Sequence, residues 1–394
     1  MPPAGVGSSE LLMTHVVYVL CAADCLGLVA FRGIFHVLLI NHNPSHHHQF
    51  SDPLPIFSHE PRRIMEDYDF SSEGIILVLG VTGAGKSYFL NQLKSHSATE
   101  GHSLHSETLQ CNAVQIFLDD EEKRSITVVD TPGFDDTTRP QGEVLAEIAE
   151  FLAAQHALGV PLRGVLYLHK ITENRMTGSS MTYLRLLESL VGDHALENVI
   201  LVTTMWNQLR DEDRGKALRR EQELLDRYWA PMEEKGSYVA QFDGTSDSAY
   251  ALVFQLAGKD SVVLDVQREI IDEDRTVLAT SVGSDLLRRL QDDGEAYRLE
   301  AAELESRLQR ATEAEPRDRD LIRHLREEKS HVEKILRQMD ESVNRMRVRP
   351  GSSIRDRIRQ AMTSSNRAAI GGAAAILAAV VNLTVFVVQL GLGG

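Results

Sequence analysis

Eight residues, Gly80-Val-Thr-Gly-Ala-Gly-Lys-Ser87, carry the spacing G-x-x-x-x-G-K-[ST], and this spacing is suited to wrapping a polyphosphate. Successive backbone N–H groups turn inward around the anion, and glycine stands where a Cβ would obstruct the turn or the ligand's approach. Lys86 then reaches the terminal phosphates, and Ser87 offers a hydroxyl to Mg²⁺. The apolar run Ile75–Leu79 precedes the loop and a helix-forming segment begins at Ser87, so a helix N-terminus faces the anion. The phosphate-contacting set read from this stretch is Gly80, Thr82, Gly83, Ala84, Gly85, Lys86, Ser87 and Tyr88.

A second constellation lies some forty residues on. Ser125-Ile-Thr-Val-Val129 reads as a strand, and Asp130-Thr-Pro-Gly133 follows it directly. A carboxylate at a strand end followed three residues later by glycine is placed to hold Mg²⁺ through a water, while the Gly133 N–H meets the γ phosphate. Alone this pattern is usually a turn; with a phosphate loop upstream the two motifs support each other.

These motifs need elements to position them. Short apolar runs at Ile75–Leu79, Val114–Leu118, Ser125–Val129, Gly164–Leu168 and Asn198–Thr203 read as strands. They alternate with helical stretches at Ser87–Lys94, Gly142–Gln155, Met181–Leu190 and Glu221–Tyr228. Alternation of this kind predicts an α/β fold with a mostly parallel sheet between helices, whose ligands bind at the carboxyl ends of the strands.

The residues G-V-T-G-A-G-K-S and D-T-P-G-F resemble the first and third motifs of P-loop GTPases, in the branch of septins, immunity-associated proteins and chloroplast import receptors. The likeness is strongest to fungal G-domain proteins, and it runs from about Gly74 to Gly258. It implies a G domain that binds GTP or GDP with Mg²⁺. It places Thr108, in Gly101–Thr108, as the switch threonine closing on the metal and the γ phosphate. The metal set is then Ser87, Thr108 and Asp130, and the catalytic set Lys86, Thr108 and Gly133. The stretch Gly164–Met176 also matches the fungal members.

The base-reading motif departs from the family. Thr204-Met-Trp-Asn207 stands where [NT]-K-x-D is usual, so Met205 replaces lysine and Asn207 replaces aspartate. A carboxylate accepts from both guanine N1–H and the exocyclic amine, whereas an amide has one acceptor oxygen. Thr204 and Asn207 are the base-side candidates; Trp206 either stacks on the base or packs at the strand end. Asp243-Gly-Thr-Ser246 is a loose fifth motif. Phe134 follows Gly133 where small GTPases carry a water-orienting glutamine, which predicts slow hydrolysis unless a second G domain or an activator supplies a group. His169, at a strand end, and Arg175 are the residues to test for that role, against the plainer reading of His169 as a packed histidine. A homo-oligomer through the G domain or a coiled coil follows as an expectation, with a non-hydrolysing nucleotide-binding scaffold as the alternative.

The chain has 394 residues, a formal net charge of -16 and three cysteines, Cys21, Cys25 and Cys111. The acidic balance argues against a general nucleic-acid binder, and the cysteine count excludes a disulfide framework. The expected organisation is an extension over 1–70, a G domain over 71–258, a helical or coiled-coil region over 259–348 interrupted near Pro316, a basic linker over 349–367 and an apolar tail over 368–394. His46–His48 in the extension is a weak metal candidate beside the plainer reading as a polar loop. Apolar residues at 4,3 spacing (Tyr297, Ala301, Leu304, Leu308, Ala311, then Leu321, Leu325, Val332, Ile335, Met339, Met346) predict two helices, paired between chains or folded back on the G domain. Seven arginines from Arg345 to Arg367 precede the apolar run Ala368–Leu390. Basic flank and apolar run together read as a possible tail anchor on the cytosolic face of a membrane, or as a tail buried against another element. The expected location is cytoplasmic.

Overall fold

A computed structural model describes residues 74–94, 112–118, 124–133, 139–173, 176, 178–354, 356 and 384–388. The 1–70 extension, the 101–108 segment with Thr108, Phe134 and Arg175 lie outside the described residues.

Seven strands form one sheet: β1 (Gly74–Gly80), β2 (Asn112–Phe117), β3 (Ser125–Asp130), β4 (Leu162–Lys170), β5 (Val199–Thr204), β6 (Tyr238–Gln241) and β7 (Thr384–Val388). Their order is β6-β5-β4-β1-β3-β2-β7, and among the described residues only the β2–β3 pairing is antiparallel. β1 is buried along its whole length, as a central strand covered on both faces must be, which explains its unbroken apolar run. Registers Val78 with Asp130, Gly80 with Leu168, and Lys170 with Thr204 bring the ends of β1, β3, β4 and β5 to one edge.

The helices are α1 (Lys86–Leu93), α2 (Gln141–Ala157), α3 (Gly178–Val191), α4 (Asp211–Leu224), α5 (Ala230–Glu233), α6 (Ser246–Ala257), α7 (Asp265–Ile271), α8 (Ser281–Glu313) and α9 (Arg319–Met346). This mixed, mostly parallel sheet among helices resembles a G domain and is followed by a helical C-terminal region. One continuous core runs from Ile75 through the sheet to Val282, Leu286, Met346 and Ile354, so the roots of α8 and α9 share the interior of the nucleotide-binding fold.

The structure departs from some expected bounds and decides between some of the alternatives. The helix expected over Glu221–Tyr228 begins at Asp211, because its first turn, Asp211-Glu212-Asp213, is acidic and suits the helix N-terminus while showing no apolar stripe. A widened turn over Leu225–Trp229 then buries Leu225 and Trp229. β6 escaped the sequence reading because it is four residues long with an exposed first residue. Helices α8 and α9 pair within the chain on either side of Pro316, around buried Leu304, Leu325 and Val332. Leu336 joins that cluster while Leu321 is exposed, a local departure from the expected stripe. The hairpin folds back on the G domain: a Cβ on Gly142 of α2 would lie 2.1 Å from the Ser342 carbonyl oxygen of α9. Of the apolar run Ala368–Leu390, Thr384–Val388 stands as an edge strand parallel to β2. Among the described residues, no helix is long and apolar enough to cross a membrane.

Candidate functional site

The loop between β1 and α1 owes its course to three glycines in conformations that side-chain-bearing residues avoid. Gly80, Gly83 and Gly85 have φ of 147°, 76° and 93°. At Gly80 the backbone also runs against β4, where an added Cβ would sit 2.5 Å from the Leu168 carbonyl oxygen. Gly85 caps α1 without any side-chain bond, which leaves the helix N-terminus facing the loop. Inside the loop, Lys86 is buried and its Nζ donates to the carbonyls of Gly80 at 3.2 Å and Val81 at 3.1 Å. An ammonium folded onto its own loop's carbonyls is a charge held ready at the cradle.

Beside the cradle, Ser87 Oγ donates to Asp130 Oδ2 at 2.8 Å. Asp130 is fully buried, and its Oδ1 has no hydrogen-bond partner. Burial raises its pKa to about 6, against the opposing pull of Lys86 and the bond from Ser87. A buried carboxylate oxygen without a donor, next to a serine hydroxyl, is a donor set that fits a hard divalent cation such as Mg²⁺. Among the described residues, no group of three His, Cys, Asp or Glu is arranged to hold a metal, so such an ion would take its remaining ligands from elsewhere. Thr131 Oγ1 donates to the Val78 carbonyl at 3.0 Å and locks the end of β3 against β1. Gly133 approaches the loop so closely that a Cβ would meet Thr82 Oγ1 at 2.4 Å. Thr82 therefore contacts the segment after β3, a link between the two motifs that spacing alone does not reveal.

At the end of β5, Thr204 is buried, and its Oγ1 donates to the Ala84 carbonyl at 2.8 Å. Thr204 thus braces the cradle. Met205 takes a left-handed φ of 65°, uncommon for a residue with a side chain, and this turns the chain toward Asn207. Trp206 is 5% exposed and its Nε1 donates to Thr203 Oγ1 at 2.9 Å, so it packs inward and is not placed to stack on a base. Thr203 in turn donates to Glu221, which also accepts from Gln241 and is buried, with its pKa raised by that burial. Asn207 is exposed and lies with Tyr88 and Gly244, the glycine of the loose fifth motif.

His169 is 4% exposed and stands edge-on to Trp229, with ring centroids 6.0 Å apart. Its Nε2 lies 4.0 Å from Glu173 Oε2. Burial lowers its pKa, with Glu173 opposing and Lys170 reinforcing. The packed-histidine reading is the one this placement fits.

Residues 74–238 match the AIG1 family. No curated protein matches the chain. Among solved structures, the chain is similar to Toc33 from Arabidopsis thaliana in complex with GDP and Mg²⁺, at 18% identity and a TM-score of 0.40, covering 51% of this chain and 91% of that one. It is also similar to Toc33 with Mg²⁺ and GMPPNP, at 19% identity and a TM-score of 0.38, covering 53% and 88%. Elongation factor SelB from Methanococcus maripaludis, in complex with GPPNHP, is similar at 15% identity and a TM-score of 0.31, covering 49% and 35%. Residues 74–238 thus carry the match to the AIG1 family, a GTPase family, within a longer chain.

Proposed function

We propose that this chain binds a guanine nucleotide with Mg²⁺ and hydrolyses GTP slowly, its nucleotide state controlling self-association. The observation that carries the reading is the pair Ser87 and Asp130, bonded at 2.8 Å beside the glycine cradle with Asp130 Oδ1 unpartnered. In this reading the loop amides, the α1 N-terminus and Lys86 hold the β and γ phosphates, Lys86 exchanging its bonds to Gly80 and Val81 for phosphate oxygens. Mg²⁺, when bound, supplies charge neutralisation at the phosphates. In this reading Ser87, Thr108 and Asp130 are the residues that hold that ion, and the Gly133 N–H meets the γ phosphate. Thr204 braces the cradle, and Asn207 faces the base.

Phe134 supports slow intrinsic turnover, since a phenyl ring cannot orient water, and it supports a group supplied by a second copy or an activator. It equally favours the second reading, a nucleotide-binding scaffold that does not hydrolyse. We place the protein in the cytoplasm, with Ala368–Leu390 and its basic flank as a possible membrane attachment. Phosphate release measured over many turnovers separates the readings. Release that disappears in Lys86→Ala supports the GTPase; nucleotide retained at one per chain without release supports the scaffold. Failure of the wild-type protein to bind any nucleotide sinks both.

A further inference from the structure

Three residues far apart in sequence form a corner at the base side of the cradle. Tyr88 Oη, at the start of α1, donates to the Gly244 carbonyl at 2.9 Å. Asn207 Nδ2 donates to Tyr88 Oη at 3.5 Å. Gly244 has φ of 91°, and a Cβ there would lie 2.4 Å from Asn207 Nδ2 but 3.5 Å from Oδ1. The amide nitrogen is therefore the end turned into the corner, and the carbonyl oxygen is the end turned away from it.

We propose that Tyr88 is a positioning residue that sets the orientation of the Asn207 amide, so that the site offers an acceptor to the base and selects purines that carry an N–H at position 1 and no oxo group at position 2. This rests on the nucleotide-binding reading above. An unrestrained amide presents a donor as readily as an acceptor, and a donor would suit the 2-oxo group of xanthine. With its nitrogen turned into the corner and one of its N–H groups donated to Tyr88, Asn207 turns Oδ1 outward as the leading group toward the base. That oxygen accepts from N1–H of guanine or hypoxanthine, opposes the 2-oxo oxygen of xanthine, and opposes the bare N1 of adenine. One acceptor in place of a carboxylate's two also means that guanine gains little over hypoxanthine. Tyr88 thereby recovers part of what the aspartate-to-asparagine change gives up.

The test measures Kd for GDP, IDP, XDP and ADP, with Mg²⁺, on the full chain of wild type, Tyr88→Phe and Asn207→Asp, with thermal melting to confirm folding. Wild type is expected to bind GDP and IDP within a few-fold of each other, and both at least about tenfold more tightly than XDP or ADP, the worth of about one net hydrogen bond. Tyr88→Phe is expected to move the GDP:XDP ratio toward xanthine by about tenfold. Asn207→Asp is expected to raise the GDP:IDP ratio by a similar factor, because a carboxylate takes the 2-amino group as well. A merely structural role for Tyr88 would weaken all four ligands together. An unchanged GDP:XDP ratio in Tyr88→Phe, or a wild-type preference for XDP, overturns the proposal while leaving nucleotide binding intact. Binding of none of the four overturns the nucleotide reading as well.

Discussion

Thr204 Oγ1 donates to the Ala84 carbonyl at 2.8 Å, joining the end of β5 to the phosphate cradle across 120 residues of sequence. The bond is buried at both ends, so the cradle's shape depends in part on the end of β5. Thr204→Val keeps the strand-forming shape and removes the donor. The expected cost is about 1–2 kcal/mol of stability from an unsatisfied buried carbonyl. Nucleotide affinity should also fall, by about tenfold. Calorimetry and a nucleotide titration check both; a variant that melts earlier but binds as wild type would show the brace is not felt at the site.

Asp130 gives the metal-free protein a pH dependence of definite sign. Its folded pKa is about 6 and its ordinary value 3.8, so between these the folded state holds the proton more tightly than the unfolded chain. The stabilising proton is fully present below about pH 4 and is lost as pH rises through 6, on the order of 3 kcal/mol in all. Asp130→Asn should flatten that part of the curve without Mg²⁺ and abolish Mg²⁺ stabilisation above it. Melting temperatures from pH 4 to 7.5, with and without Mg²⁺, decide the matter.

His169 should act in the opposite direction. Its pKa is lowered by burial from an ordinary 6.5, so the folded state resists protonation that the unfolded chain accepts. Its contribution is present above pH 6.5 and lost as pH falls below it. His169→Gln should remove that acid-side loss, visible as a shallower fall in melting temperature below pH 6.5. An identical slope in wild type and variant would place the acid sensitivity in another group.

Gly142 tests how the hairpin is joined to the fold. An alanine there would drive its Cβ into the Ser342 carbonyl, which is backbone and cannot rotate away. Gly142→Ala should cost about 1–3 kcal/mol and loosen α9 from α2. Hydrogen exchange at the C-terminal turns of α9 would rise first; unchanged protection there would mean the two helices separate without penalty.

The phosphate cradle was legible in sequence because each of its requirements is local: glycines at fixed offsets, an apolar strand before them and a helix after. β1 and β3 were legible for the same reason, since both strands end where a motif begins. The start of α4 was not, because Asp211–Asp213 carry no apolar period and suit a helix through its dipole. The fate of Trp206 was undecided in sequence, because its inward turn depends on Thr203 and Glu221, and Glu221 lies on a helix whose start was misread. The corner of Tyr88, Asn207 and Gly244 joins residues 119 and 156 positions apart, and only the assembled sheet brings them together. Fold class and the course of the glycine loop were thus open to reading by pattern, while the arrangement around Asn207 is a product of tertiary packing.

Helix α8 spans 33 residues, about 50 Å at 1.5 Å per residue, and only its first part, with Val282, Leu286 and Leu290, is rooted in the main core. The rest runs out beside α9 around its own small cluster. Such an arm is a mechanical amplifier. A rotation at its root of about 6° would carry the tip about 5 Å over that length. A rotation too small to see among Val282, Leu286 and Leu290 is thus one that can be measured at Pro316.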